Sequence, residues 1–299
     1  MAGAGLIEAP GAPARRRLGH TAAADPTGIR PGLLLGLPLL AGALFVVLPL
    51  AALLARALSD GGVGGFVDVL GNDTFLSAVR RTLVLSITVT ALCCVIGTAY
   101  ALALVAAPRR LAHVFLVVLL SAFWISLLVR TFGWVVLFQP NGALDQLLGT
   151  LGLLDGTLDL LQTTKAMYPA MVHVLLPFFV LPVYAACLRL DPELLRAGQS
   201  LGARPAAVLR HVVLPHLRPS ILAASSLVFM LALAFYITPL LIGGPTQLTI
   251  ATLIDREFSQ RFDLGSAATM GLLLLAIVLA IYLVVDRFVS LVPGREDRP

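Results

Sequence analysis

Six apolar runs separated by short polar intervals constrain this chain more than any other feature. They cover residues 33–55, 78–105, 111–136, 167–188, 220–242 and 265–288. Each is close to the ~20 residues that a helix needs to cross a bilayer. No water reaches the hydrocarbon to satisfy backbone N–H and C=O groups, so such a run crosses as a helix whose bonds close internally. Composition agrees: 12% of residues are charged and 59% hydrophobic, with a mean hydropathy of +0.95. A soluble domain carries about 25% charged residues. The expected fold is an all-α membrane protein with six transmembrane helices.

Residues 1–30 are rich in Ala, Pro, Gly and Arg without apolar periodicity and are expected to form a disordered tail. Residues 31–290 are the transmembrane domain and 291–299 a second tail. The first apolar run exceeds the about 7 to 15 residues of a signal-peptide core, so Ala55-Arg56-Ala57 is not read as a cleavage site. Pro177 and Pro182 should kink the fourth span, and Pro239 should kink or end the fifth. With both termini in the cytoplasm, 14 Arg and Lys residues fall inside and 7 outside, in agreement with the positive-inside rule. Lipid is the surrounding partner, and no nucleic-acid partner is expected. Cys93, Cys94 and Cys187 sit in apolar runs without metal-ligand spacing and read as small packing residues.

The sequence lacks the residue patterns of common catalytic sites. There is no G-x4-G-K-[ST], H-E-x-x-H, G-x-S-x-G or cysteine cluster, so neither catalysis nor a cofactor is expected. Carboxylates are confined to tails, loops and span ends. Secondary transporters usually place Asp or Glu within spans for ion coupling, so energy for active transport would have to come from another subunit.

One polar interval stands out, within residues 189–219. Asp191 can N-cap a helix with Pro192 at its first position, where a missing N–H costs nothing. Leu194, Leu195, Gly198 and Leu201 then fall largely on one side, and Gly202 supplies the stop. Pro205 restarts a helix that runs to Leu214, where Pro215 breaks it. The segment fits a docking element for a partner outside the bilayer; an ordinary interfacial amphipathic loop is the alternative.

Several residues within spans are candidates for lining a pathway. Arg130 lies near the outer end of the third run between Trp124 and Trp134, either snorkelling to the interface or structurally paired, or else lining an outer mouth or meeting a binding protein. His173, in the fourth span, is either a packing group or a path residue. At the end of the fifth span, Phe235 and Tyr236 are packing residues or a substrate cage. Thr238 beside Pro239 offers a hydroxyl at a freed carbonyl, either facing a cavity or completing a plain proline kink.

The spacing Ala197, Gly202, Val212-Val213-Leu214-Pro215 resembles the E-A-A-x3-G-x9-I-x-L-P loop of ABC importer permeases. Arg196-Ala197-Gly198 stands where E-A-A is expected, without the glutamate, and Val212 stands where the isoleucine is expected. The stretch from Trp124 to Trp134, the Asn141-Gly142 turn and the Thr238–Pro245 ending are similar to the spermidine/putrescine-type branch. The resemblance covers about residues 33–290. It implies a type I importer permease fold in a bacterial inner membrane. It further implies a second similar permease, a dimer of cytoplasmic ATPases and an extracytoplasmic binding protein. The coupling loop implied comprises Leu194, Leu195, Arg196, Ala197, Gly198, Leu201, Gly202, Ala203, Pro205, Leu214 and Pro215. A polyamine is the first cargo implied, although Phe235 stands where several polyamine permeases carry an acidic residue. Another small amino or organic compound, or iron, is the alternative cargo. A stand-alone six-helix carrier or channel, or a membrane scaffold, are the alternative functions.

Overall fold

A computed structural model describes residues 31–153, 156–191, 193, 196, 198, 200 and 202–290. The expected tails at 1–30 and 291–299, and Leu194, Leu195, Ala197 and Leu201 of the docking segment, lie outside the described residues. The chain divides into two compact units, Met1–Leu50 and Ala51–Pro299. The described part of the first is helical throughout and opens α1 (Pro31–Leu70).

Within the second unit, α1 continues past the expected end of the first span at residue 55. Its helical geometry is interrupted at Gly62, at φ +56°, where a glycine meets no Cβ penalty. Then follow α2 (Asp73–Ala106), α3 (Arg109–Trp124), α4 (Leu127–Phe138), α5 (Ala143–Thr150) and α6 (Thr164–Leu188). Residues Pro205–Leu233 form a single helical span, α7. Short helices α8 (Ile237–Ile242) and α9 (Ile250–Asp255) lead into α10 (Leu264–Ser290). Among the described residues, five helices are long and apolar enough to cross a membrane, or six when α3 and α4 count as one broken span.

Helix starts at one end of the bundle share a chemistry. Asn72 accepts from Thr74 N and Phe75 N at the start of α2. Thr163 accepts from Ala166 N at α6, and Thr249 and Thr252 form a reciprocal capping box at α9. Asp263 accepts from Ser266 N at α10. These side chains satisfy amide donors that have no partner within the helix.

The centre of the unit is α6, packed most extensively on α2, then on α7, with α8, α3 and α4 also against it. It stays helical through Pro169, Pro177 and Pro182. Lipid offers no hydrophobic drive for pairing helices, so close fit holds them. Gly97 of α2 lies against the fully buried Phe179 ring of α6, with no room for a Cβ.

Three expectations about span limits are corrected. The third span is not one helix: the chain is extended at Ile125 and Ser126, and α3 and α4 meet at 104°. The fifth does not run from 220 to 242. It begins at Pro205 and ends at Leu233, and the chain breaks at 234–236 before Pro239 takes the third position of α8. There it needs no donor, while its ring would have struck the carbonyl four residues back in a continuous helix. Finally, Pro215 does not end the docking helix. Leu209–Val213 form a π-turn, with Leu214 N donating to Leu209 O, and the helix carries on. One residue more in that turn widens the helix just where the proline removes a donor.

Candidate functional sites

The docking segment is built from two short helical pieces folded on each other. Asp191 Oδ1 accepts from Glu193 N at 2.8 Å, the expected N-cap. Glu193, Arg196, Gly198 and Ser200 are helical. Gly202 adopts φ +75°, and Ala203 N donates to Gly198 O at 3.1 Å, which closes the first piece with a left-handed cap. Pro205 then starts α7 at its first position. The second piece returns across the first: a Cβ added at Gly198 would lie 3.2 Å from Val208 Cγ2, and Val208 is buried. Glycine in the third place of Arg196-Ala197-Gly198 therefore suits a close helix crossing. Arg196, Gly202, Arg204, Pro205 and Pro215 are exposed, with Ala203 and Leu214 half-buried. Because α7 runs on through the π-turn, this exposed element is continuous with a membrane span.

The expected path residues separate into three groups. Trp124, Arg130 and Phe235 share a cavity of about 390 Å³ at the α3–α4 bend, with Phe123, Phe178 and Leu231. Phe123 and Phe178 meet edge to face at 5.2 Å. Arg130 is paired within the fold. Its Nη2 donates to Ile125 O at 2.8 Å, the carbonyl left free where α3 ends, and its Nε is buried without a partner. A cation at a helix C-terminus meets the negative end of the dipole, so this arginine ties the bend together. The sequence signal for the bend is slight: β-branched Ile125 followed by Ser126, a residue type that favours helix starts.

Trp134 and His173 form the second group. Trp134 Nε1 donates to His173 Nδ1 at 3.2 Å, with the rings edge to face at 5.9 Å. They line a cavity of about 460 Å³ with Leu92, Ile96, Tyr168 and Leu176. Thr238 and Pro239 form the third group, buried where α8 meets α4. There Thr238 Oγ1 lies 3.5 Å from Thr131 Oγ1, so the hydroxyl serves a helix contact and not an open cavity. Tyr236, half-buried in the turn between α7 and α8, lines neither cavity.

The Thr238–Pro245 ending has a packing explanation. Gln162 N donates to Ile242 O at 2.9 Å, and Thr164 Oγ1 donates to Gln247 Oε1 at 2.8 Å. A Cβ at Gly243 would strike Met167, and Gly244 at φ +67° lies against Gln162. Two glycines let the end of α8 sit directly on the start of α6.

Sequence reasoning missed Asp145, which is buried behind the Asn141-Gly142 turn. Its carboxylate accepts from Asn141 N at 2.9 Å and Leu158 N at 3.2 Å, pinning the loop around α5. Asn141 itself sits at φ +59°. Glu257, also buried, is held by Arg256 and Arg261. Outside the spans, the Ser266 N–H beside Asp263 holds that carboxyl below the usual carboxylate range. Among the described residues, no group of three or more His, Cys, Asp or Glu side chains could hold a metal ion.

A family model described as binding-protein-dependent transport system inner membrane component matches residues 95–296. The spermidine/putrescine transport system permease protein PotB of Haemophilus influenzae is 31% identical over 216 residues, covering 71% of this chain and 76% of that one. A putative 2-aminoethylphosphonate transport system permease protein, PhnU of Salmonella choleraesuis, is 28% identical over 269 residues, 85% of this chain and 91% of that one. Among solved structures, a chain of a bacterial ABC transporter involved in import of the acidic polysaccharide alginate superposes with a TM-score of 0.78. It is 19% identical, covering 88% of this chain and 97% of that one, a likeness of fold.

Proposed function

The chain belongs to the family of binding-protein-dependent transport system inner membrane components, and from that premise we propose that residues 189–219 couple its spans to a cytoplasmic ATPase. The chain is a multi-pass inner-membrane permease of an ABC importer. It catalyses nothing itself. ATP hydrolysis belongs to a dimer of separate subunits, and a second similar permease completes the path. An extracytoplasmic binding protein delivers cargo. Closure of the ATPase dimer pushes the docking segment, and alternating access follows.

One observation carries this reading. The left-handed cap at Gly202 folds the segment into a compact, exposed element that continues through the π-turn into α7. A push at its surface is therefore delivered to a membrane helix. Leu194, Leu195, Arg196, Ala197, Gly198, Leu201, Gly202, Ala203, Pro205, Leu214 and Pro215 make up the coupling loop. The proposal is tested by purifying the chain from native membranes in mild detergent and assaying ATP hydrolysis. An ATPase and a second permease are expected to accompany it, and Gly202→Arg should release or uncouple the ATPase. A chain that purifies alone and transports in vesicles without ATP would overturn the reading in favour of a self-contained carrier.

For cargo, the PotB relative supports a polyamine, tested first by uptake of radiolabelled spermidine and putrescine. A second reading is an amino compound that also bears an oxyanion, in keeping with the PhnU relative. It is favoured by one observation: Arg130 and His173 are among the residues lining the two cavities, and no carboxylate is. A polycation crossing this half of the path would need its negative partner from the second permease.

A further inference from the structure

An indole N–H can only donate a hydrogen bond. The Trp134 Nε1–H that points at His173 Nδ1 at 3.2 Å therefore requires a lone pair on that nitrogen. A histidine accepting at Nδ1 carries its proton on Nε2, and its free edge is a donor. The ring is also held by its edge-to-face contact with Trp134, which in turn stacks on Phe138 with ring centres 5.2 Å apart. The imidazole thus has a set tautomer and a set direction.

Its surroundings make that donor conspicuous. His173 lies mid-way along α6 and is exposed on a largely apolar wall that includes Leu92, Ile96, Val172 and Leu176 beside Trp134 and Tyr168. A polar ring facing hydrocarbon at that depth is costly, so the face is turned toward a water-filled path or the partner permease. Among the other residues of this cavity only Tyr168 has a titratable side chain, and α2 contributes none. Nothing in the wall competes for the Nε2–H as a carboxylate would.

Resting on the importer reading above, we propose that Trp134 fixes His173 as a neutral Nε2–H donor and that this donor reads a hydrogen-bond acceptor on the cargo. The subsite then favours a small solute bearing a carboxylate, phosphonate or hydroxyl over one that carries only ammonium groups, which have no lone pair to offer. His173 contacts the solute, and Trp134 is a positioning residue that acts through it.

Two measurements test this, one of them independent of transport. The chain has two tryptophans, so Trp124→Phe, made only for spectroscopy, leaves Trp134 as its one indole, and subtracting the spectrum of the same complex carrying Trp134→Phe removes the indoles of the other subunits. Its N–H marker band in ultraviolet resonance Raman spectra should report a hydrogen-bonded indole in the assembled complex. The band should shift to the unbonded position with His173→Leu and hold with His173→Gln, whose amide oxygen can accept. An unbonded band in the His173 protein overturns the pairing.

The second measurement uses the complete importer in vesicles, with putrescine and 4-aminobutanoate as probes. These share a four-carbon chain and one ammonium, and differ in a terminal aminomethyl group exchanged for a carboxylate. His173→Leu should raise KM for 4-aminobutanoate by about ten-fold or more, the size of one hydrogen bond to a charged group, with kcat little changed. His173→Gln should restore it, and Trp134→Phe should fall between. A KM shift below about two-fold on that scale, an equal shift for putrescine, or uptake of putrescine alone overturns the acceptor reading. Uptake of neither probe by complexes that hydrolyse ATP overturns it too and leaves the importer reading standing. A chain without ATPase partners instead overturns the importer reading, and the Raman result then decides the pairing alone.

Discussion

Replacing Gly97 by alanine tests how the central helix pair is held. The added Cβ would overlap Cδ1 of Phe179 and lie 3.1 Å from Cε1 and 3.2 Å from Cγ. That ring is fully buried, so it cannot swing into open space. Alanine improves intrinsic helix propensity by about 1 kcal/mol, whereas overpacking a filled interface costs about 1–3 kcal/mol. The net expected loss is about 0–2 kcal/mol. The decisive quantity is the coupling with Phe179→Leu. In that background the methyl finds room, the overpacking cost disappears, and Gly97→Ala becomes neutral or stabilising. Thermal midpoints of the four proteins in one detergent give the cycle. Additivity to within about 0.5 kcal/mol, or a rise in midpoint for Gly97→Ala alone, would refute the close α2–α6 crossing.

Three further outcomes follow from named contacts. Arg130→Met should free the Ile125 carbonyl at the α3–α4 bend and lower stability by about 1–3 kcal/mol, while Arg130→Lys recovers only part, as thermal midpoints of the complex would record. Asp145→Ala leaves the Asn141 and Leu158 amides without their acceptor, and should expose the loop around α5 to protease and faster amide exchange. Asp263, held below the usual carboxylate range by Ser266, contributes stability that is present above the ordinary carboxylate pKa and is lost as pH falls through its own lower value. The difference in midpoint between the native chain and Asp263→Ala should therefore be full at pH 7 and vanish in strong acid; a difference that persists there would exclude the cap as its source.

Local features were legible without the fold. Asp191 as a cap, Gly202 as a left-handed stop and Pro205 as a helix start depend on backbone geometry within a few residues, and each stands where expected. The family was legible too, from the spacing around Gly202 and the membrane character from the apolar runs. The break at Ile125-Ser126 was not. Hydropathy averages over about 20 residues and does not register two extended residues inside an apolar run. Pro215 misled for a related reason: whether a proline ends a helix or is absorbed by a wider turn depends on what the following residues can bury, and here they form a span.

Length and apolarity, together with turn chemistry, are written in the order of residues, so the sequence by itself determined that this chain crosses a membrane about six times and carries a polar segment of two helical pieces before its fifth span. Which side chains meet across helices was decided only by the tertiary structure. Trp134 and His173 are 39 positions apart, Thr131 and Thr238 107 apart, and Arg81 donates to Leu248 across 167. Hydrogen bonds of that kind depend on helix rotation and tilt. These are set in lipid by close packing at positions such as Gly97 and Phe179, and not by any local preference along the chain.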